Sequence, residues 1–156
     1  MSAMNAGAEL RATVDLHAPA DDVWAALVDW EAQARWMLGT TVRHTGGPAA
    51  GVGTELEART GWGPLAVVDS MVVTGWEPPR RCEVLHHGAL VGGDGGFVVQ
   101  PAPDRKGAQL TWWERFTLPA GLVGRLGWRL VAPAVRWGLR SSLRRFALLV
   151  ESQGTR

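Results

Sequence analysis

The stretch GLVGRLGWRLVAPAVRWGLRSSLRRFALLVE, Gly121 to Glu151, decides how the rest of the chain is read. Val123, Leu126, Leu130, Ala134 and Trp137 recur at helical spacing, with Val131, Val135 and Gly138 on adjoining turns. One long helix with an apolar face is expected. Arg125, Arg129, Arg136 and Arg140 fall within roughly 60° of one another and form a stripe on that helix. Past Ser141-Ser142 the apolar arc moves round to Leu143, Phe146, Leu149 and Val150, which implies a bend or a change of packing partner. Pro133 removes one intrahelical hydrogen bond and predicts a kink. Gly121, Gly124 and Gly127 weaken the first turns. No other segment is long enough to lie across a sheet.

Everything before this helix reads as short strands and turns. Leu10, Ala12, Val14 and Leu16 alternate with Arg11, Thr13, Asp15 and His17, the pattern of a half-buried strand. Ala18-Pro19 ends it. Asp21 or Asp22 then caps a helix whose buried stripe is Val23, Trp24, Leu27 and Val28. Trp30 to Leu38 reads as a second short helix closed by Gly39. Strands follow at Thr40 to Arg43, Thr54 to Thr60, Leu65 to Trp76, Arg81 to Val91, Phe97 to Gln100 and Ala108 to Leu118. The turns between them are His44 to Gly53, Gly61-Trp62-Gly63-Pro64, Pro78-Pro79, the run Gly92-Gly93-Asp94-Gly95-Gly96, and Pro101 to Gly107. The order β, α, α, six strands, long α contains no βαβ unit and argues an antiparallel meander in an α+β domain.

The 156 residues suffice for one domain, expected over 9–152, with a flexible N-terminus over 1–8. A net charge of +1 offers no field for nucleic acid. Lys106 is the only lysine. A single cysteine, Cys82, excludes an internal disulfide and fits a reducing compartment. Residues 1–8 have no basic or apolar leader pattern, and no apolar run approaches a membrane span, so a soluble cytoplasmic protein is expected. Nine tryptophans and no tyrosine suit a spacious apolar interior.

This order is the helix-grip layout, and short motifs along it strengthen the likeness. Leu16-His17-Ala18-Pro19 leads into Asp22-Val23-Trp24. Gly51-Val52-Gly53-Thr54 and Val73 to Arg81 (VTGWEPPRR) follow, then Phe97-Val98-Val99-Gln100-Pro101, Trp112-Trp113-Glu114 and Ser142-Leu143-Arg144-Arg145-Phe146. On these residues the chain resembles the START-like, Bet v 1-like (SRPBCC) superfamily, and within it the polyketide cyclase/dehydrase and lipid-transport family. The resemblance implies a seven-stranded antiparallel sheet wrapped round the long helix, with an apolar cavity between them. It implies no single activity, because such proteins include carriers, cyclases and hydrolases.

Three residues stand out as candidates for chemistry. Glu114 shares a strand face with Leu110, Trp112 and Phe116, so a carboxylate is expected in the apolar interior. There it would be a general acid or base, a ligand anchor, or one half of an ion pair with an arginine. Asp69 lies in a strand apolar on both faces, so its direction is open. Beside Glu114, it would share a proton with it. His86 and His87 point to opposite faces, and His86 goes with Cys82 and Val84, which favours it as the inward one. No metal is expected, because the histidines and the cysteine lack ligand spacing. No cofactor is expected: the glycine run at 92–96 lacks the P-loop pattern, and no G-x-S-x-G is present. The absence of tyrosine removes one common way of holding an enolate or phenolate.

Three functions fit. The favoured one is binding or carriage of a small hydrophobic ligand, such as a lipid, an isoprenoid or an aromatic polyketide. Trp36, Met71, Phe97, Trp112, Leu130 and Ala134 would supply the wall, and Glu114, Asp69 or His86 the polar anchors. The second is a cyclase or dehydrase in which Glu114, with Asp69 or His86, moves protons. The third is an interaction module whose stripe of Arg125, Arg129, Arg136 and Arg140 docks on an anionic membrane surface or on a protein partner; the plainer alternative is a solvated face. Oligomeric state is not fixed by any of these features.

Overall fold

Period-two alternation and short turns set the architecture seen in the computed structural model, which describes residues 7–88, 92–104, 106–117 and 122–154. The strands are β1 (Gly7–Leu16), β2 (Thr40–Gly46), β3 (Glu55–Thr60), β4 (Val67–Glu77), β5 (Arg81–His87), β6 (Gly92–Pro101) and β7 (Ala108–Thr117). They form one antiparallel sheet in the order β1-β7-β6-β5-β4-β3-β2. Between β1 and β2 come helix α1 (Ala20–Leu27) and a 3-10 helix, Glu31–Arg35. After β7 comes the long helix α2 (Leu122–Gln153). This is the expected α+β helix-grip fold: a seven-stranded antiparallel sheet, two short helices after the first strand and a long C-terminal helix. No described helix is long and apolar enough to cross a membrane.

Several local expectations are corrected. The N-cap of α1 is Pro19, and Asp21 and Asp22 lie inside the first turn, where a carboxylate favours the helix dipole. The second short helix is 3-10 rather than α. Trp30, Gln33 and Trp36 are all buried at a spacing of three, the period that a 3-10 turn brings onto one face. Gln33 Nε2 donates to the Leu27 carbonyl at 2.7 Å and ties this turn to α1. β1 starts at Gly7, so Gly7 and Ala8 belong to the sheet, and β2 runs on to Gly46. Leu65 falls in a 3-10 turn, Gly63–Leu65, ahead of β4. The expected ends of strands at Val91 and Leu118, the start of the helix at Gly121 and the flexible stretch over 1–6 lie outside the described residues.

The largest correction within the sheet is the glycine run. Gly92 to Gly96 is the first half of β6, paired on both sides with β5 and β7. Glycine usually weakens a strand, and in a strand interior it marks a close approach. That approach shapes the site below.

α2 also differs from its expected orientation. Leu126, Leu130, Val131, Ala134 and Trp137 face solvent, whereas Trp128, Ala132, Val135 and Leu139 turn toward the sheet. The first half of the helix carries apolar residues on both sides, so period alone could not select the buried one. Leu143, Phe146 and Val150 are buried as their spacing implied. α2 continues through Pro133 as one element, and Pro133 is exposed, where water can reach the carbonyl freed by the missing N–H.

Two apolar clusters fill the interior. One joins α2 and α1 to β1, β6 and β7 through Leu10, Leu16, Val23, Leu27, Trp36, Phe97, Leu110, Leu143 and Phe146. The other, Trp24, Trp30, Val42, Leu56, Val73 and Cys82, lies under β2 to β5. The crossover after α1 is fastened to α2, because the Leu38 amide donates to Ser142 Oγ at 2.9 Å.

Candidate functional site

The site lies on the inner face of the sheet, where β4, β5 and β7 each contribute one polar side chain among apolar ones. Asp69 shares its face with Met71 and Val73, His86 with Cys82 and Val84, and Glu114 with Leu110, Trp112 and Phe116. Register brings them together. Met71 lies opposite His86, so Asp69 is the diagonal neighbour of His86. Glu114 is one strand further away, across β6. The inward positions of β6 between them are Gly93, opposite His86 and Phe116, and Gly95, opposite Val84 and Glu114. A Cβ at Gly95 would overlap Glu114 Oε2, and one at Gly93, whose φ is +118°, would strike the backbone of Arg115. The glycines leave a gap through which the Glu114 carboxylate reaches across a whole strand.

The result is a continuous polar chain. His86 Nδ1 donates to Asp69 Oδ2 at 2.6 Å, and His86 Nε2 donates to Glu114 Oε2 at 3.0 Å. The indole Nε1 of Trp112 donates to Glu114 Oε1 at 2.7 Å. Only 7% of the His86 side chain and 12% of each carboxylate side chain are exposed. Burial opposes charge on the imidazole, but the hydrogen bonds to Asp69 and Glu114 and their charges outweigh it and push the His86 pKa up to about 10. His86 is therefore an imidazolium at neutral pH, with both N–H groups engaged.

The polar chain passes into an aromatic cluster through Trp112. The ring of Trp36 lies 6.0 Å from Trp112, 6.2 Å from Phe97 and 4.9 Å from Phe146, centroid to centroid, in edge contacts. Phe116 continues the same face toward Trp128 at 5.1 Å. Two buried polar atoms here lack a hydrogen-bond partner among the described residues: Asp69 Oδ1, a free acceptor, and Trp36 Nε1, a free donor. An unpartnered buried polar atom costs about 1–3 kcal/mol, so both atoms are unsatisfied groups that the fold carries at this face.

The structure thus joins Asp69, His86 and Glu114, and the expected wall residues Trp36, Phe97 and Trp112 adjoin them. Met71 lies opposite His86. Leu130 and Ala134 do not belong to this wall: both are exposed on the outer side of α2. Sequence reading missed Gly93 and Gly95, whose signal is the glycine run itself, a composition that reads as a turn. Cys82 is buried on the inner face, and burial, with the charge of Glu83, raises its pKa to about 12, so it stays a thiol. Among the described residues no group of three or more His, Cys, Asp or Glu is placed to hold a metal ion. The two carboxylates engage opposite nitrogens of the ring and do not converge on one point. A hollow lined by Thr41, Arg43, Glu57 and Arg59 lies on the outer face of the sheet and is crossed by the Arg43–Glu57 ion pair.

The family model for polyketide cyclase / dehydrase and lipid transport matches residues 7–151, and the chain belongs to that family. Solved structures share the fold. TTHA0849 of Thermus thermophilus is 17% identical with a TM-score of 0.78, the match covering 94% of this chain and 99% of that one. The Zhui aromatase/cyclase of Streptomyces sp. R1128 is 18% identical, with a TM-score of 0.73 and coverage of 93% and 94%. SA2116 of Staphylococcus aureus, a protein of unknown function, is 8% identical, with a TM-score of 0.77 and coverage of 99% and 100%. A comparison with curated proteins finds no match.

Proposed function

We propose that the chain binds a small hydrophobic molecule between the sheet and α2, with the molecule's polar end against Asp69, His86 and Glu114. The observation that carries this reading is the buried polar chain set in an aromatic wall. A free buried acceptor at the end of this polar chain suits a ligand that ends in a donor, such as a hydroxyl or an amine, on Asp69 Oδ1. Trp36 Nε1 suits an acceptor elsewhere on the same molecule. A lipid, an isoprenoid or an aromatic polyketide all offer that combination. The single free cysteine agrees with a cytoplasmic setting.

The test is mass spectrometry of the freshly purified protein, native and after organic extraction, followed by addition of donor-bearing and donor-free analogues. Stoichiometric capture of a donor-bearing apolar molecule, weakened about tenfold or more in Asp69→Asn, is expected. Equal capture of both kinds of analogue, or none, would count against the reading.

One observation favours a second reading. His86 bridges two carboxylates, so a proton taken up at one end can be relayed to the other. A cyclase or dehydrase using Glu114 as acid or base would need such a relay, and the Zhui aromatase/cyclase is similar in fold. Turnover on a polyketide panel that vanishes in Glu114→Gln while binding persists would support this; unchanged turnover would remove it.

A further inference from the structure

The first half of α2 has two apolar sides, and only one is covered. Trp128, Ala132, Val135 and Leu139 face the sheet. Leu126, Leu130, Ala134 and Trp137 lie on the far side, within roughly 80° of one another. Leu130 is 82% exposed and Trp137 63%. Single exposed apolar residues need no explanation, but a ridge of them along about three turns does. Arg125, Arg129, Arg136 and Arg140 flank this ridge on one side, and all four are exposed. None has an ion-pair partner among the described residues. The only acidic residue in the helix is Glu151, near its far end.

We propose that this outer face of α2 docks on an anionic phospholipid bilayer. The ridge of Leu126, Leu130 and Trp137 would lie in the interface plane, and the arginines would reach lipid phosphates along its edge. Charge decides against a second copy as the occupant. An antiparallel symmetric pairing of this face would bring the two arginine stripes together, and a parallel one would add a second stripe along the other edge. Neither stripe would have an acidic residue of the helix beside it, since Glu151 lies at the far end. A bilayer rich in anionic headgroups supplies the missing countercharge.

The position of the face fits this role. β3 turns into β4, β5 passes to β6 and β7 leads to α2 at one end of the sheet, as the pairs Thr60 with Val67, His87 with Gly92, and Gly7 with Thr117 require. Asp69, His86 and Glu114 lie within three residues of that end. Trp62 and Leu65, 80% and 87% exposed, sit in the connection at the same end.

The test is co-sedimentation of the full chain with phosphatidylcholine vesicles and with vesicles of phosphatidylcholine and phosphatidylglycerol. Binding is expected to the second kind only, and to be lost at about 0.5 M salt. Arg129→Gln with Arg136→Gln should weaken it roughly thirtyfold, about fivefold per arginine. Leu130→Ser with Trp137→Ser should weaken it at least tenfold while the fold, read by circular dichroism, is kept. Equal binding to both vesicle kinds, no binding at low salt, or variants that bind like the parent would overturn the proposal. So would a concentration-dependent dimer in sedimentation velocity that Leu130→Ser abolishes.

Discussion

His86 is the residue on which the interior balances. Its ordinary pKa of 6.5 applies in the unfolded chain, whereas in the folded one it is about 10, so the native state holds the extra proton between those values. The stabilisation is complete below about pH 6.5, shrinks as pH rises and is gone above about pH 10; it is on the order of a few kcal/mol. Urea unfolding across this range should show stability falling with pH, and the fall should be largely absent in His86→Gln. Parallel pH curves for the two proteins would show that His86 is not held as an imidazolium. Cys82 adds a loss only above its own ordinary value of 9.0 and is common to both proteins. Glu114→Gln sharpens the point. The glutamine can accept from Trp112 only by turning its amide N–H toward His86 Nε2, and two donors cannot face each other there. The His86 pKa should fall in that variant. Imidazole chemical shifts at pH 8 should report a charged ring in the parent and a neutral one in Glu114→Gln; a ring charged in both would mean that Asp69 alone holds the proton. Alternation placed Glu114 on the face of Leu110, Trp112 and Phe116 and favoured His86 over His87, but β4 is apolar on both sides and left the direction of Asp69 open. The contacts among them depend on the register of four strands, which no local pattern encodes.

At the scale of the element, β6 is the unusual piece. Its inward positions, Gly93 and Gly95, trade strand propensity for the gap that the Glu114 carboxylate fills. Gly95→Ala should displace that carboxylate, break the link to His86 and destabilise the protein by roughly 2–3 kcal/mol. In a Glu114→Ala background the same substitution should cost much less, since the obstructed group is gone; a double-mutant cycle by urea unfolding measures the coupling. Additive effects would show that Gly95 matters only to the backbone. This element also shows where sequence reading stops. Val14, Leu16, Leu56, Ala58 and Leu110 are inward because strict alternation on half-buried strands leaves one choice. A run such as Gly92-Gly93-Asp94-Gly95-Gly96 has the composition of a turn, and only the neighbour that needs the empty space makes it a strand. α2 fails in the opposite way. Its second half, with Leu143, Phe146 and Val150, was legible from period alone, whereas its first half offers two apolar arcs, and the one predicted to face the sheet faces solvent.

For the whole molecule, the unequal anchoring of α2 has a consequence for access to the interior. Past Leu139 the helix is held by Ser142 on the Leu38 amide, by Phe146 against Trp36, and by the Glu151 carboxylate, which accepts from the His17 amide. Its first half is held mainly by Trp128 against Phe116 and by small side chains such as Ala132. Local opening follows the loss of few buried contacts, so this half should open first while the sheet and the second half stay closed. Amide hydrogen exchange should therefore form a gradient along α2, fast over 124–134 and slow over 143–150. A bound ligand touching Trp112 and Glu114 would also touch what lies above them, so a donor-bearing apolar molecule should slow exchange over 124–134 far more than over 143–150. Uniform exchange along the helix would mean that both halves open only with the whole fold, and entry between α2 and the open end of the sheet would then need global unfolding. A gradient that the ligand leaves unchanged would place the ligand away from the Trp112–Glu114 face and shift attention to the outer hollow on β2 and β3.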